Sequence, residues 1–163
     1  MEKYETTPEN VLQTLDKYGV AIIPNIINKK EIKEMINGVW DFLEEITENF
    51  DTPIDRNDET TYSELFKLYP LHSMLIQHWG IGHAQFIWNL RQNKNVINVF
   101  SKIWKTEDLI TSFDGASIHM PPEKTNRGWY RGNDWLHCDQ SFLRNNFECV
   151  QSWITAFDVN KDD

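Results

Sequence analysis

Leu109-Ile110-Thr111-Ser112-Phe113-Asp114-Gly115-Ala116-Ser117-Ile118-His119-Met120 is where this sequence changes character. Its β-branched and aromatic residues predict a strand, with a bend at Gly115 and a stop at Pro121-Pro122. Upstream the pattern is helical. Thr7-Pro8 starts a short helix that runs to about Lys17, Tyr18-Gly19 breaks it, and Val20-Ala21-Ile22-Ile23-Pro24 predicts a short buried strand. Asn28 with Glu31 three residues on makes a capping box. Ile32, Met35, Ile36, Val39, Trp40, Leu43 and Ile46 then hold helical spacing as an apolar stripe. Residues 48–61 predict a loop, and residues 62–79 suit either helix or strand. Residues 84–91 and 95–104 predict two helices, the second burying Val96, Val99, Phe100 and Ile103.

Downstream of the change the chain predicts a polar loop over residues 123–133, then strands over 135–140 and 149–159. Helices first and strands last point to an α+β fold with an antiparallel sheet, not to alternating parallel units. The expected organisation is one domain over residues 1–163, helical to about residue 107 and stranded from about 108.

A length of 163 residues suits a single domain, and 40% hydrophobic with 13% aromatic residues is a globular composition. A net charge of −9 argues against nucleic-acid or anionic-membrane binding, which needs clustered Lys and Arg. The acidic residues of 41–48 and 51–59 read as a solvated helix face and an exposed loop. Two cysteines, Cys138 and Cys149, are too few for a disulfide framework and read as buried thiols. The polar start and the lack of a long apolar run predict a cytoplasmic protein without a membrane span.

Trp135-Leu136-His137-Cys138-Asp139-Gln140-Ser141 carries the chemistry. In a strand, residues i and i+2 share a face, about 6.6 Å apart at roughly 3.3 Å per residue. An imidazole and a carboxylate converge from there on one ion, while Cys138 points away. With open positions left over, that pair suits Fe(II) and oxygen chemistry once a second His joins it. A hydrogen-bonded structural His–Asp pair is the alternative. Lys124, Arg127 and Arg131 lead into this segment and read as a solvated loop or as contacts to an anion. Gln85, Trp88 and Arg91 read as a helix beside a cavity. His119 alternates with Ser117, facing a pocket or held structurally.

Taken with Tyr18-Gly19-Val20-Ala21-Ile22-Ile23-Pro24, the Asn28 helix start, Asp108 to Gly115, and Val150-Gln151-Ser152-Trp153-Ile154-Thr155-Ala156-Phe157-Asp158-Val159, this segment resembles the phytanoyl-CoA dioxygenase family of Fe(II)/2-oxoglutarate oxygenases. The resemblance implies N-terminal helices packed on a partial double-stranded β-helix (jelly-roll) sheet, in which residues 135–140 and 149–159 are neighbouring strands. It implies His137 and Asp139 as iron ligands, Trp153 in the pocket of the co-substrate 2-oxoglutarate, and Ala116 in contact with it. Ascorbate is a further candidate cofactor. In the family a second metal-binding His and a 2-oxoglutarate-binding Arg follow later, after a Gly-rich turn. His72, His78, His83 and His119 all lie upstream of the pair. The implied chain is thus a truncated domain, the N-terminal half to two-thirds of the family's.

The implied activity is hydroxylation of a small organic or lipid-like substrate, because halogenating relatives lack the carboxylate that Asp139 supplies. The alternative is a non-catalytic truncated pseudoenzyme, or a binding module that self-associates or pairs with a complementing chain over the open sheet.

Overall fold

The structure is a computed structural model and describes residues 2–71, 74–126, 137 and 139–159. Five α-helices lie among the described residues: α1 (Val11–Tyr18), α2 (Lys29–Thr47), α3 (Gln85–Arg91), α4 (Lys94–Trp104) and α5 (Pro122–Thr125). Two short strands, β1 (Leu75–Ile76) and β2 (Ala116–Ser117), pair antiparallel with Leu75 opposite Ser117 and Ile76 opposite Ala116. None of the described helices is long and apolar enough to cross a membrane.

Helix ends follow the sequence closely. The Asn28 side chain accepts from Lys30 and Glu31 N–H at 2.9 and 3.0 Å, and Glu31 Oε2 accepts from Asn28 N–H at 2.7 Å. That completes the expected capping box. Asn93 caps α4 by accepting from Asn95 N–H at 2.9 Å. Gly19, at φ 71°, ends α1 in the left-handed region that glycine enters without strain. Pro122 opens α5, whereas β2 ends at Ser117, ahead of the expected stop at Pro121-Pro122.

The apolar stripe of α2 builds the main core. Met35 and Leu43 join Ile54, Leu65, Leu68, Ile76, Ile81, Phe86, Ile118 and Met120 in one buried cluster. Gly38 lets α3 approach α2, since a Cβ there would lie 2.4 Å from Phe86 Cβ. A second cluster, Val11 with Val99 and Ile103, joins α1 to α4. Of residues 62–79, those to Leu68 belong to a 3-10 helix, Glu59–Leu68, and Leu75–Ile76 to β1, while 72 and 73 lie outside the described residues.

Several expectations need correction. The segment after α1 is extended but half-buried, held by one bridge in which Ile22 N–H donates to Tyr4 O and Thr6 N–H to Ile22 O, both at 2.8 Å. The acidic face of α2 is not simply solvated. Glu44 Oε1 accepts from Arg56 N–H and Nε–H at 2.9 Å each, and Arg56 also pairs with Asp41, which ties the following loop to the helix. Residues 109–120 form a ladder only at β2, because β1 offers two residues to pair with; Ile110 is fully exposed.

Residues 149–159 do not form the expected strand, and they keep only part of a strand's alternation, which is broken at the exposed Ser152. Val150 packs on the second core cluster, and Ile154 and Ala156 on the first. Cys149, Gln151, Trp153, Thr155 and Phe157 between them are exposed. β2 and its flank behave alike, with Ala116, Ile118 and Met120 toward the core and Ser117 and His119 outward. Both segments therefore lay one face on the helical layer and leave the other open.

Candidate metal centre

The chain doubles back between residues 140 and 148. Gln140 organises the turn: its Nε2 donates to Arg144 O at 3.0 Å and Asn146 O at 2.5 Å, and its Oε1 accepts from Glu148 N–H at 3.0 Å. Arg144 N–H donates to Ser141 O at 3.0 Å, and the Arg144 guanidinium pairs with Glu148 at 2.7 Å. Phe147 rests on Trp104 of α4, ring centroids 5.4 Å apart, which fixes the turn to the helical layer.

This turn sets what faces His137. Gln140 with Glu148, and His137 with Gln151, are pairs symmetric about Arg144, the register of an antiparallel fold-back. Gln151 Nε2 lies 3.1 Å from His137 Nε2. Asp139 Oδ1 lies 3.4 Å from the same ring nitrogen. The side chains of His137 and Asp139 are 40% and 61% exposed, so the pair opens to solvent on the outward face.

Two donors 3.4 Å apart can both stand about 2.1 Å from one ion. The His137–Asp139 pair fits a shared divalent metal in that respect, and the donor types, imidazole and carboxylate, suit iron. No group of three His, Cys, Asp or Glu side chains converges among the described residues.

The other expected site residues are distributed as follows. Trp153 is 81% exposed on the same outward alternation as Gln151, not a core tryptophan. Ala116 faces the helical core from β2, on the opposite side of its strand from Ser117 and His119. Partial desolvation holds the His119 imidazole pKa below its ordinary value. Lys124 pairs with Glu59 at 2.5 Å. Arg91 donates to Gly82 O at 2.5 Å and Asp114 O at 3.1 Å and stacks by Trp88 and Phe113, so it staples the segment before β2 to α3. His83 stacks on Phe113, 4.8 Å between centroids, and Gln85 bonds Asn89 at 2.8 Å. Cys149, expected to be buried, is exposed because it falls on the outward alternation. Arg127, Arg131, Cys138 and His72 lie outside the described residues.

Gln151 is the neighbour of the pair that the sequence reading passed over. Its signal was its position two residues before Trp153, which puts both on one face of an extended segment.

Neither a family model nor a solved structure matches the chain. Two curated proteins are similar to it. "Ava biosynthesis cluster protein O" of Aspergillus versicolor is 26% identical over 136 residues, which is 83% of this chain and 41% of that protein. "Putative phytanoyl-CoA dioxygenase" of Dictyostelium discoideum is 30% identical over 138 residues, 81% of this chain and 37% of that protein. The matched region thus spans about two fifths of the length of these relatives. Over four fifths of its own length the chain is similar to a protein that carries the phytanoyl-CoA dioxygenase name, which supports the resemblance to that family.

Proposed function

We propose that this chain is a member of the phytanoyl-CoA dioxygenase family of Fe(II)/2-oxoglutarate oxygenases, with His137 and Asp139 as two of its iron ligands. The observation that carries the reading is the 3.4 Å approach of His137 Nε2 and Asp139 Oδ1 on an open face. The helices cover one face of residues 116–120 and of residues 150–156, as they would cover the outside of a jelly-roll sheet whose inside holds the metal. That sheet is the finer fold proposed here, completed by strands that would pair with the outward edges near residues 109–120 and 149–159.

Bound iron with 2-oxoglutarate supplies hydroxylation of a C–H bond by O2, coupled to release of succinate and CO2. His137 would offer a neutral imidazole nitrogen. Asp139 would offer one negative charge, which binds the cation and occupies the place that a halide takes in halogenating relatives. Trp153 stands outward on the alternation of Gln151, where its indole would wall the co-substrate and exclude water from one side. A small organic or lipid-like molecule is the proposed substrate class, and the whole proteins' later residues would supply the second His and the Arg for the far carboxylate.

Anaerobic titration with Fe(II) and 2-oxoglutarate tests this. The expected result is a visible charge-transfer band that His137→Ala and Asp139→Ala each abolish. A band that survives His137→Ala overturns the ligand assignment, and no band at saturating protein overturns iron binding by this chain.

A further inference from the structure

We propose that the tip of the fold-back, Phe142 and Leu143, docks on the surface of a neutral phospholipid bilayer. The proposal stands on the turn itself and not on the iron-site reading. Arg144 N–H donates to Ser141 O at 3.0 Å, and Leu143 N–H donates to Ser141 Oγ at 3.3 Å. Residues 141–144 thus form a tight turn with Phe142 and Leu143 at its two central positions. Gly, Pro, Asn, Asp and Ser ordinarily hold such positions, because they suit the turn backbone. Here the phenyl ring is 90% exposed and the leucine 78% exposed. Neither residue joins either core cluster. Two adjacent large apolar side chains that gain no burial from the fold, at a place where local preference runs against them, mark an interaction site.

The turn presents them rigidly. Gln140 ties Arg144 O, Asn146 O and Glu148 N–H together, the Arg144–Glu148 pair crosses the stem, and Phe147 rests on Trp104 of α4. A tip held this way enters an apolar medium with little ordering left to do.

Charge and shape select the medium. Residues 140–147 contain no carboxylate in a chain of net charge −9, and their one cation, Arg144, is paired with Glu148. The tip is therefore close to neutral, which suits zwitterionic lipid better than an anionic surface or a basic partner. A protruding tip also needs an acceptor that is hollow or deformable. The cleft beside Pro24 and Ile26 is rimmed by the amides of Asn25, Asn95 and Asn98, a poor socket for a phenyl ring from a second copy. The acyl boundary of a bilayer yields to both side chains, and the exposed Ser141, Asn145 and Asn146 flank them with polar groups suited to the headgroup layer.

The test is co-sedimentation of the full chain with phosphatidylcholine vesicles, for the wild type, Phe142→Ser, Leu143→Ser, the double variant, Phe142→Trp and Tyr69→Ser. Tyr69 is 77% exposed and lies elsewhere in the chain, so it controls for general adsorption. Each serine at the tip should weaken partitioning about tenfold, and the double variant should lose it. Phe142→Trp, which keeps a large ring, should bind as tightly as the wild type or tighter, and Tyr69→Ser should bind as the wild type does. Serine suits a turn, so circular dichroism and the thermal midpoint should not change. Binding should persist at high salt, because no charge carries it. The inference fails if the wild type does not sediment with the vesicles, if Tyr69→Ser loses as much as the tip variants, or if Phe142→Trp binds as weakly as Phe142→Ser. Binding that requires anionic lipid and disappears at high salt overturns it too. A wild-type dimer in sedimentation velocity that the double variant splits would make a second copy the occupant and likewise overturn it. Fe(II) binding at His137 is untouched by all of these outcomes, so the iron-site reading is tested apart.

Discussion

Glu31 and Asn93 join two helix starts that are far apart in sequence. Glu31 Oε1 accepts from Asn93 Nδ2 at 2.7 Å while Glu31 Oε2 accepts from Asn28 N–H at 2.7 Å. One carboxylate therefore closes the capping box of α2 and steadies the residue that caps α4, and Asn95 Nδ2 adds a 3.1 Å bond to Ile26 O beside it. Glu31→Ala should destabilise the chain by about 2 kcal/mol, more than a single cap. Glu31→Gln keeps an acceptor for only one of the two partners and should fall between. Urea unfolding midpoints of the three proteins decide this, and equal midpoints would mean the bridge contributes nothing.

Gly115, just before β2, lies hard against the backbone of β1. A Cβ there would lie 1.9 Å from Ile76 O, which is backbone and cannot swing away. Gly115→Ala should break the β1–β2 pairing and cost on the order of 3 kcal/mol. At Gly19 nothing lies within 4 Å of an added Cβ, and only the positive φ resists it, so Gly19→Ala should cost about 1 kcal/mol. Thermal unfolding of both variants should rank them in that order.

Acid should loosen the loop after α2 before it loosens the helices. Arg56 hydrogen bonds hold the Glu44 carboxyl below its usual value of 4.5. A carboxyl depressed in the folded state adds stability that is complete above its unfolded value and is lost as pH falls through the folded one. The window therefore opens below about pH 4.5. Both side chains are partly exposed, so about 1 kcal/mol is the expected size after screening. Stability measured against pH in low salt should show this decline in the wild type and lack that part of it in Arg56→Met.

Legibility in the sequence tracked how local the determining interactions are. The α2 box and stripe and the α3 and α4 bounds all depend on neighbours within a few residues, and all were readable. Residues 62–79 were not, since the choice between 3-10 helix and strand there is made by Leu65, Leu68 and Ile76 entering a core shared with α2. Arg56 pairing with Asp41 and Glu44 was invisible for the same reason, being a contact between a loop and a helix face. At the candidate site, the i/i+2 relation of His137 and Asp139 could be read directly. The facing of His137 by Gln151 could not, because it depends on the turn that Gln140 sets. Residues 116–120 and parts of 149–157 show a strand's alternation, while only Ala116–Ser117 has a ladder, since side-chain alternation is a property of the segment and a ladder is a property of its partners.

Gln140 offers a way to disturb the proposed metal site without touching His137 or Asp139. Its amide holds Arg144 O, Asn146 O and Glu148 N–H together, and the Gln151 amide lies against His137 in the same fold-back. Gln140→Ala removes all three bonds at a solvent-exposed turn, where water replaces them at little cost to the rest of the chain. Global stability should therefore move by less than about 1 kcal/mol, because neither core cluster contains Gln140. Mn(II) affinity should fall about tenfold or more, because the donors then have to be gathered at the moment of binding. Gln140→Glu, which keeps an acceptor for Glu148 N–H but cannot donate to the two carbonyls, should lose part of the affinity. Metal affinity that stays level while Gln140→Ala leaves the thermal midpoint unchanged would show that the fold-back is held by Phe147 on Trp104 and the Arg144–Glu148 pair instead.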